Sequence, residues 1–338
     1  MFQNENNYEL NKEEIKDRKL ILKSRPISLI AHLTEKCNLN CPMCVVKKQP
    51  WELSDKSLSE IMELIPFLKH VCWSGGEVFL YPKFKELIDE VHKYSNISQA
   101  IYTNGLLIDK KWMDELIKGK LTLIFSIDGI TKDIYETIRQ GAVFEKLLSN
   151  LELVNEYKAK SEYEVNLIIS VAVMRTNYRQ LEMFIDFADK YNIGKIEFGP
   201  YIGSNRKENI FKYKDEEIID SVKQQMQNAC EKAKEYKIEF FNRLPYQFKI
   251  CDKDKNENYS DNLFCTLPWT WLYILPGGKV MPHCHCKKLV GDIEKEAIMD
   301  IWNNSRMQLY RKNMINNDFE DWCGEDIHWM DIIERISH

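Results

Sequence analysis

The chain has 338 residues, of which 44% are hydrophobic and 29% are charged, and its formal net charge is −5. The apolar fraction is large enough for a packed core, and an acidic balance without a basic arm argues against nucleic-acid binding. The polar first residues contain no signal-peptide core, and no uncharged apolar run is long enough to span a membrane. We therefore expect a cytoplasmic protein whose partners include neither nucleic acid nor a membrane.

The ten cysteines bear on redox state and metal binding. In a chain without an export signal, cysteines are typically reduced and bind metals instead of forming disulfides. We therefore expect reduced thiols and an oxygen-sensitive protein.

Strand-like and helix-like segments alternate over the first two hundred residues. Residues 1–26 are predicted to be an extension with a short helix near 12–22. Apolar strands are predicted at 27–33, 71–74, 99–103, 121–127, 165–174 and 196–201. Helices are predicted between them at 57–69, 83–94, 110–118, 132–139, 144–158 and 178–191. This alternation predicts an α/β fold with a parallel sheet and helical crossovers.

The pattern changes after residue 203. A long helix is predicted at 215–236, and a charged linker follows at 252–262. Next come a β-hairpin around Gly277-Gly278 and a helix that continues to Met314. The predicted domains are an extension (1–26), a barrel domain (27–203), a helix and linker (204–262) and a small C-terminal module (263–338).

Three cysteines with C-x3-C-x2-C spacing follow the first predicted strand: Cys37, Cys41 and Cys44. Structural zinc takes four protein ligands, and a [4Fe–4S] cluster usually takes four cysteines. Three thiolates therefore predict a cubane cluster with one iron open to another ligand. The alternatives are three buried structural thiols, or a zinc site with a distant fourth ligand.

This motif resembles the cluster loop of the radical S-adenosylmethionine (radical SAM) superfamily, whose signature is C-x3-C-x-aromatic-C. Met43 stands where the family most often has an aromatic residue, and methionine can also lie against an adenine. The resemblance implies that the three cysteines hold a [4Fe–4S] cluster whose open iron chelates S-adenosylmethionine. One-electron reduction then yields methionine and a 5′-deoxyadenosyl radical, while the protein supplies positioning and excludes water.

Turn residues after the carboxyl ends of the next strands complete the resemblance, since α/β active sites gather at such ends. Ser74-Gly75-Gly76-Glu77 resembles the family's GGE motif, which implies that Gly75, Gly76 and Glu77 bind the amino group of S-adenosylmethionine. Val78 replaces the usual proline. Five further residues are implied around the ribose and carboxylate: Asn104, Ser126, Asp128, Arg139 and Ser170. For each alone, ordinary turn chemistry or surface solvation is the competing interpretation.

The C-terminal hairpin and helix resemble the SPASM and Twitch modules, which hold auxiliary iron–sulfur clusters. The implied fold is therefore a partial (β/α)6 TIM-like barrel followed by a small SPASM/Twitch-like module. A full SPASM module has seven cysteines, whereas this segment offers four candidates, which suits one auxiliary cluster: Cys265, Cys284, Cys286 and Cys323.

Departures from that module leave its ligands open. His283 takes the place of an expected thiolate, and Cys323 is followed by Gly324-Glu325-Asp326 instead of a second cysteine. His283 and Asp326 are therefore further candidate ligands. Zinc is a competing interpretation, since Cys/His groups also suit zinc. A third interpretation is that one of these cysteines donates a hydrogen atom.

Three cysteines lie outside both motifs: Cys72, Cys230 and Cys251. Cys72 falls in an apolar strand, which favours a core position. An epimerase would need a thiol near its substrate to return a hydrogen atom, and Cys251 or Cys72 are the candidates.

The resemblance implies a radical SAM enzyme supplied with electrons by a flavodoxin-type or ferredoxin-type donor. We favour a ribosomally made peptide as substrate, which would be epimerised, cross-linked or oxidised. The alternative substrate is a small molecule such as a sugar or aminocyclitol. A different class is a non-catalytic iron–sulfur or zinc protein, although a carrier of that kind needs no cofactor pocket.

Overall fold

The computed structural model describes residues 3–44, 46, 50–203, 205–212, 216–245, 264–319 and 321–323. Cys251, Asp326 and the predicted linker at 252–262 lie outside the described residues. The chain divides into two compact units. The first comprises Met1–Lys36, Gln49–Ala100 and Glu257–His338, and the second comprises Cys37–Lys48 and Ile101–Asn256. The predicted bounds of the four domains remain predictions.

Strands and helices alternate along the described chain. The strands are β1 (Ser28–His32), β2 (His70–Ser74), β3 (Ser98–Thr103), β4 (Lys120–Ser126), β5 (Val165–Val173), β6 (Lys195–Pro200), β7 (Glu239–Asn242), β8 (Trp271–Ile274), β9 (Lys279–Met281) and β10 (Gly291–Asp292). The α-helices are α1 (Gln3–Lys16), α2 (Asp55–Leu64), α3 (Phe84–His92), α4 (Lys110–Leu116), α5 (Lys132–Ile138), α6 (Phe144–Lys158), α7 (Met183–Lys190), α8 (Glu216–Tyr236), α9 (Leu267–Thr270), α10 (Ile298–Asn303) and α11 (Ser305–Ile315). The predicted α/β class is confirmed.

In the first unit, β1 pairs in parallel with both β2 and β8, and β8, β9 and β10 are antiparallel neighbours. Ala31 of β1 is opposite Trp73 of β2 and Ile274 of β8, and all three are fully buried. The predicted C-terminal hairpin is therefore present. It also extends the sheet that contains β1, which the local sequence pattern did not predict.

The helix of the N-terminal extension differs from its prediction. It covers Gln3–Lys16 instead of residues near 12–22, and Arg18 has a left-handed φ of 52° just beyond its end. Its inward face is polar, so apolar periodicity, which guided the prediction, gives no signal there. The buried residues of this face are Asn4, Asn7, Asn11 and Glu14.

The second unit contains four parallel strands in the order β4-β5-β6-β7. The sequence predicted the first three of these strands and missed β7, which has only four residues. Helix α8 buries one apolar stripe along its length, which includes Val222, Met226 and Ala229, as expected for a helix that covers a sheet. None of the described helices combines the length and apolar character that a membrane crossing requires.

Candidate functional site

The loop that follows β1 in the sequence presents three cysteine side chains. Cys37 and Cys41 are half-buried, and Cys44 is exposed. The Cys44 backbone N–H donates to the Cys41 carbonyl at 3.1 Å, and the Leu39 N–H points at the Cys37 Sγ at 3.4 Å. The loop is therefore a tight turn whose backbone already supplies one N–H donor to a sulfur.

Two neighbouring segments of the second unit hold this loop in place. The Asn40 N–H donates to the Gln140 carbonyl at 2.8 Å. The amide of Asn104, just after β3, donates to the Asn38 Oδ1 at 2.8 Å. The Asn104 Oδ1 also accepts from the Leu106 N–H. The structure thus brings the predicted residue Asn104 to the cysteine loop. The contact is made through Asn38, a residue to which the sequence analysis gave no role.

Asp128 and Arg139 form a buried ion pair in the same unit. The Asp128 Oδ2 lies 2.5 Å from a terminal guanidinium nitrogen of Arg139, and its Oδ1 accepts the Ala172 N–H at 2.8 Å. Burial raises the pKa of the Cys41 thiol, while the nearby positive charge of Arg139 opposes that rise. Asp128, Arg139 and Cys41 therefore form one electrostatic group.

A row of polar side chains crosses the sheet of the second unit. Ser126 of β4 is in register with Ser170 of β5, which is in register with Glu197 of β6. The structure therefore brings the two predicted serines together. Glu197 was missed, although a lone acid inside an apolar strand was a visible signal. It is largely buried and paired with Arg243.

Met43 packs on a small apolar cluster of the second unit. This cluster is formed by Ile138, Met174 and Tyr201, and Met43 is partly buried against it. Met43 thus joins the cysteine loop to an apolar cluster of the second unit.

The predicted GGE turn lies in the first unit. The Gly76 N–H donates to the Thr34 carbonyl at 2.7 Å, and the Glu77 N–H donates to the Lys36 carbonyl at 2.8 Å. Gly75 has a φ of +144°, which favours glycine. A Cβ at Gly76 would collide with the Lys36 carbonyl oxygen. Both glycines are therefore required by the backbone itself, and Glu77 is fully buried behind them.

His32, at the end of β1, is a second buried polar group beside this turn, and sequence reasoning missed it. Its Cδ2 would lie 3.5 Å from a Cβ at Gly75, and its Nε2 is buried without a hydrogen-bond partner. Burial lowers the pKa of His32 to about 4. The imidazole is therefore neutral at pH 7.

The C-terminal cysteines form a second group of thiols in the first unit. Cys265 and Cys286 are buried, and Cys323 is half-buried. Cys286 and Cys323 face each other in an isolated antiparallel bridge, and the Lys287 N–H donates to the Trp322 carbonyl beside it. Burial raises the pKa of Cys265 to about 12, and the negative charge of Cys323 adds to that rise. Thiols with raised pKa values stay protonated near neutral pH, and a metal that binds them displaces the protons.

The fourth predicted cysteine, Cys284, is exposed and lies among histidines. The His283 Nδ1 is 3.5 Å from the Cys284 Sγ. One ligand atom from each of His283, Cys284 and His285 lies within 4.8 Å of the others. Sequence reasoning named His283 as a candidate ligand and missed His285.

The cysteines outside both thiol groups are not simply buried residues of the core. Cys72 on β2 is half-buried and in register with Ile30, which is also in register with Tyr273 of β8. Cys230 of α8 is disulfide-bonded, so the expectation of reduced thiols throughout is wrong at this position. The hydrogen-donor candidate Cys251 and the ligand candidate Asp326 lie outside the described part of the chain.

The donor sets fit the groups that the sequence implied. The loop after β1 offers three thiols, and a cubane with an open iron needs three. The C-terminal group offers two buried thiols, one half-buried thiol and one exposed thiol, which is the number that a closed cluster takes. Soft sulfur donors of this kind select iron–sulfur clusters or zinc.

Family models match two parts of the chain. Residues 32–188 match the radical SAM superfamily. Residues 265–325 match the iron–sulfur cluster-binding domain SPASM.

Several curated proteins are similar to this chain. The chain is 30% identical over 175 residues to the mycofactocin maturase MftC of Mycobacterium ulcerans, which is 49% of this chain and 45% of that protein. It is 22% identical to a tungsten-containing aldehyde ferredoxin oxidoreductase cofactor-modifying protein of Pyrococcus furiosus, over 84% of this chain and 82% of that protein. It is 23% identical to the PqqA peptide cyclase of Gluconobacter oxydans, over 85% and 79%. The chain therefore matches less than half the length of MftC.

Solved structures share the fold. SuiB of Streptococcus suis, bound to S-adenosylmethionine, has a TM-score of 0.66 at 17% identity, covering 90% of this chain and 71% of SuiB. The structure of anSMEcpe with bound S-adenosylmethionine and a peptide has a TM-score of 0.63 at 19% identity, covering 92% of this chain and 88% of anSMEcpe. At these identities the likeness concerns the fold alone.

Proposed function

We propose that this chain, a member of the radical SAM superfamily with a C-terminal SPASM domain, modifies a ribosomally made peptide by abstracting a hydrogen atom from it. One observation carries the proposal. In a single unit, the three-thiol loop is tied to Asn104 through Asn38 and to the turn that follows Arg139. Asn104 and Arg139 are residues that the radical SAM resemblance assigns to the cofactor, so the elements that hold the loop would also bind S-adenosylmethionine.

The catalytic cluster is assigned to Cys37, Cys41 and Cys44, whose three thiolates would hold it and would leave one iron for the cofactor. When bound there, S-adenosylmethionine supplies the radical that removes hydrogen from the substrate. The chain's own residues bind and orient that cofactor. Gly75, Gly76 and Glu77 are assigned to its amino group, and Arg139 to its carboxylate.

Five further residues complete the proposed cofactor site. Asn104, Ser126 and Ser170 offer amide and hydroxyl groups to the ribose. Met43 offers an apolar surface to the adenine. Asp128 acts through Arg139, since its two carboxylate oxygens lie against Arg139 and the Ala172 N–H.

The auxiliary cluster is assigned to Cys265, Cys286 and Cys323, with Cys284 as the fourth ligand. The support is that three of these thiols are buried or half-buried and that two of them face each other across one bridge. His283 is the alternative fourth ligand, because its ring nitrogen lies beside Cys284. Electrons are supplied from outside by a flavodoxin-type or ferredoxin-type protein.

A peptide substrate is supported by the names of the relatives, which include a maturase and a peptide cyclase. A small-molecule substrate is the second candidate. The match to a cofactor-modifying protein over 82% of its length favours that alternative.

The chemistry is tested by anaerobic reconstitution with iron and sulfide. We expect about eight irons per chain for two [4Fe–4S] clusters, and release of 5′-deoxyadenosine when a reductant and S-adenosylmethionine are added. The C41S variant should lose both about four irons and the product. A fully reconstituted protein that releases no 5′-deoxyadenosine would rule out the enzyme assignment.

The substrate class is tested separately. Short peptides encoded beside the gene are incubated with the active enzyme and examined by mass spectrometry for a loss of hydrogen or for a new cross-link. Epimerisation in D2O is read as a gain of one deuterium. A modified peptide supports the proposal, whereas turnover only of a neighbouring pathway's small molecule would overturn it.

A further inference from the structure

We infer that Asp128 and Arg139 act as an opposed pair of charges that sets the reduction potential of the cluster bound by Cys41. Arg139 raises this potential and Asp128 moderates the increase. The inference rests on the proposed assignment of Cys37, Cys41 and Cys44 to a cluster. It goes beyond cofactor binding, because it concerns the sulfur ligand itself.

Asp128 is fixed on both sides. Its side chain is completely buried, and its Oδ1 accepts the Ala172 N–H of β5 at 2.8 Å. The Asn177 amide donates to its backbone carbonyl at 2.9 Å. The carboxylate therefore has one orientation, which directs its other oxygen at Arg139 at 2.5 Å.

Arg139 is held against the cysteine loop by the backbone as well as by Asp128. The next residue, Gln140, accepts the N–H of Asn40, which directly precedes Cys41. A Cβ at Gly141 would lie 3.7 Å from the Asn38 carbonyl oxygen, so this turn is in close contact with the loop. The side chain of Arg139 is only 15% exposed. Its charge is therefore poorly screened by water.

The physical effect follows from the charge of the cluster. Reduction adds one negative charge, and both nearby charges and hydrogen bonds to the sulfurs set the potential. A guanidinium beside a sulfur ligand stabilises the reduced state, whereas a carboxylate opposes it. Arg139 lies close enough to Cys41 for its side chain to hydrogen-bond the sulfur.

Two substitutions test the pair because they predict opposite shifts. R139Q removes the cation and should make the potential more negative. D128N removes the anion while keeping the side-chain shape, and should make the potential more positive. Damage to the loop alone would move both potentials in the same direction or remove the iron. R139K keeps the charge without the planar fork, so its shift should be smaller than that of R139Q.

The measurement is a dye-mediated potentiometric titration of the reconstituted full-length protein, followed by EPR. The catalytic cluster is the signal that disappears in a C37S/C41S/C44S variant, and iron content is matched between samples. R179Q is the control, since it removes an exposed arginine of the same unit that lies over Tyr178. Its potential should equal that of the natural protein.

Opposite shifts in R139Q and D128N, with R179Q unchanged, support the inference. Equal potentials, or shifts of the same sign, overturn it. If R139Q does not retain iron, the decision falls to D128N and R139K. A D128N potential that is unchanged or more negative then overturns the inference. A natural protein that takes up no cluster at this loop would instead overturn the proposed function.

Discussion

The residues of the turn after β2 are constrained by backbone geometry as much as by the chemistry proposed for them. Gly75 and Gly76 follow β2 in a turn whose amides bond to carbonyls of the segment after β1. Glu77 is completely buried directly after them. A Gly-Gly-Glu sequence is common in turns, and here the close approach of Thr34 and Lys36 explains why no side chain fits.

Substitution of Gly76 by alanine should show this constraint. The new Cβ would collide with the Lys36 carbonyl oxygen, and overpacking of this kind costs about 1–3 kcal/mol in the free energy of unfolding. Chemical denaturation measures that loss. G194A is the matched control, because a Cβ at Gly194 has no atom within 4 Å. Equal stabilities for G76A and G194A would contradict the collision.

Buried His32 should make stability depend on pH. Its pKa is lowered to about 4 in the folded protein from 6.5, so the unfolded chain binds the extra proton between these values. The contribution of neutral His32 to the free energy of unfolding is therefore fully present above pH 6.5. It is lost as the pH falls towards 4, by up to about 3 kcal/mol.

The measurement is the free energy of unfolding between pH 7.5 and 4.5 for the natural protein and for H32Q. The H32Q variant should lose less stability over this window. H70Q, at an exposed histidine, should retain the full acid loss. An identical pH slope in H32Q and the natural protein would show that His32 is not the group responsible.

At the scale of elements, helix α1 is attached to its unit by hydrogen bonds from asparagines. The Asn11 amide donates to the Trp269 carbonyl at 2.7 Å and to the Ser24 Oγ at 3.0 Å. Glu14 accepts the backbone N–H groups of Lys23 and Ser24. The helix thus satisfies backbone groups of a neighbouring extended segment and does so without an apolar stripe.

Removal of one such side chain should be costly. Asn7 donates to the carbonyls of Arg25 and Phe67 and accepts the Arg25 N–H. N7A leaves these groups without a partner, which should lower the free energy of unfolding by about 1–3 kcal/mol. N6A, at an exposed position of the same helix, should change it by less than about 0.5 kcal/mol. Equal effects in a urea titration would show that α1 contributes little.

The segment before β1 is also bound by the C-terminal helices. The Asn303 side chain of α10 pairs with both backbone groups of Leu22. The completely buried Arg311 of α11 donates to the Leu20 and Pro268 carbonyls. Residues from both ends of the chain therefore form one compact unit.

At the scale of the whole molecule, each compact unit holds a group of thiols of its own. The loop with Cys37 belongs to the second unit, and the group with Cys265 belongs to the first. This separation predicts that the two clusters assemble independently.

The triple variant C265S/C286S/C323S tests that independence. It should contain about four irons instead of about eight and should still release 5′-deoxyadenosine, because the catalytic loop is intact. C72S is the control and should keep the full iron content, since Cys72 belongs to neither group. Loss of all iron from the triple variant would mean that the clusters depend on each other.

Patterns in the sequence predict the α/β class, the succession of strands from β1 to β6, the three-cysteine motif and the C-terminal hairpin. These features are local: an apolar run, a helical period or a short cysteine spacing is visible in neighbouring residues. The bounds of α1 and the existence of β7 were not predicted, because a buried polar helix face and a four-residue strand leave little periodicity to detect.

Four features could not be predicted from the sequence and are set by the fold: the pairing of β8 with β1, the Asp128–Arg139 ion pair, the burial of His32 and the pairing of Cys286 with Cys323. Each joins residues that are distant in sequence or depends on burial, and neither property is encoded in a local pattern. The cysteine spacing therefore indicates that a cluster binds, whereas the charges that surround its sulfur ligands are set by the fold.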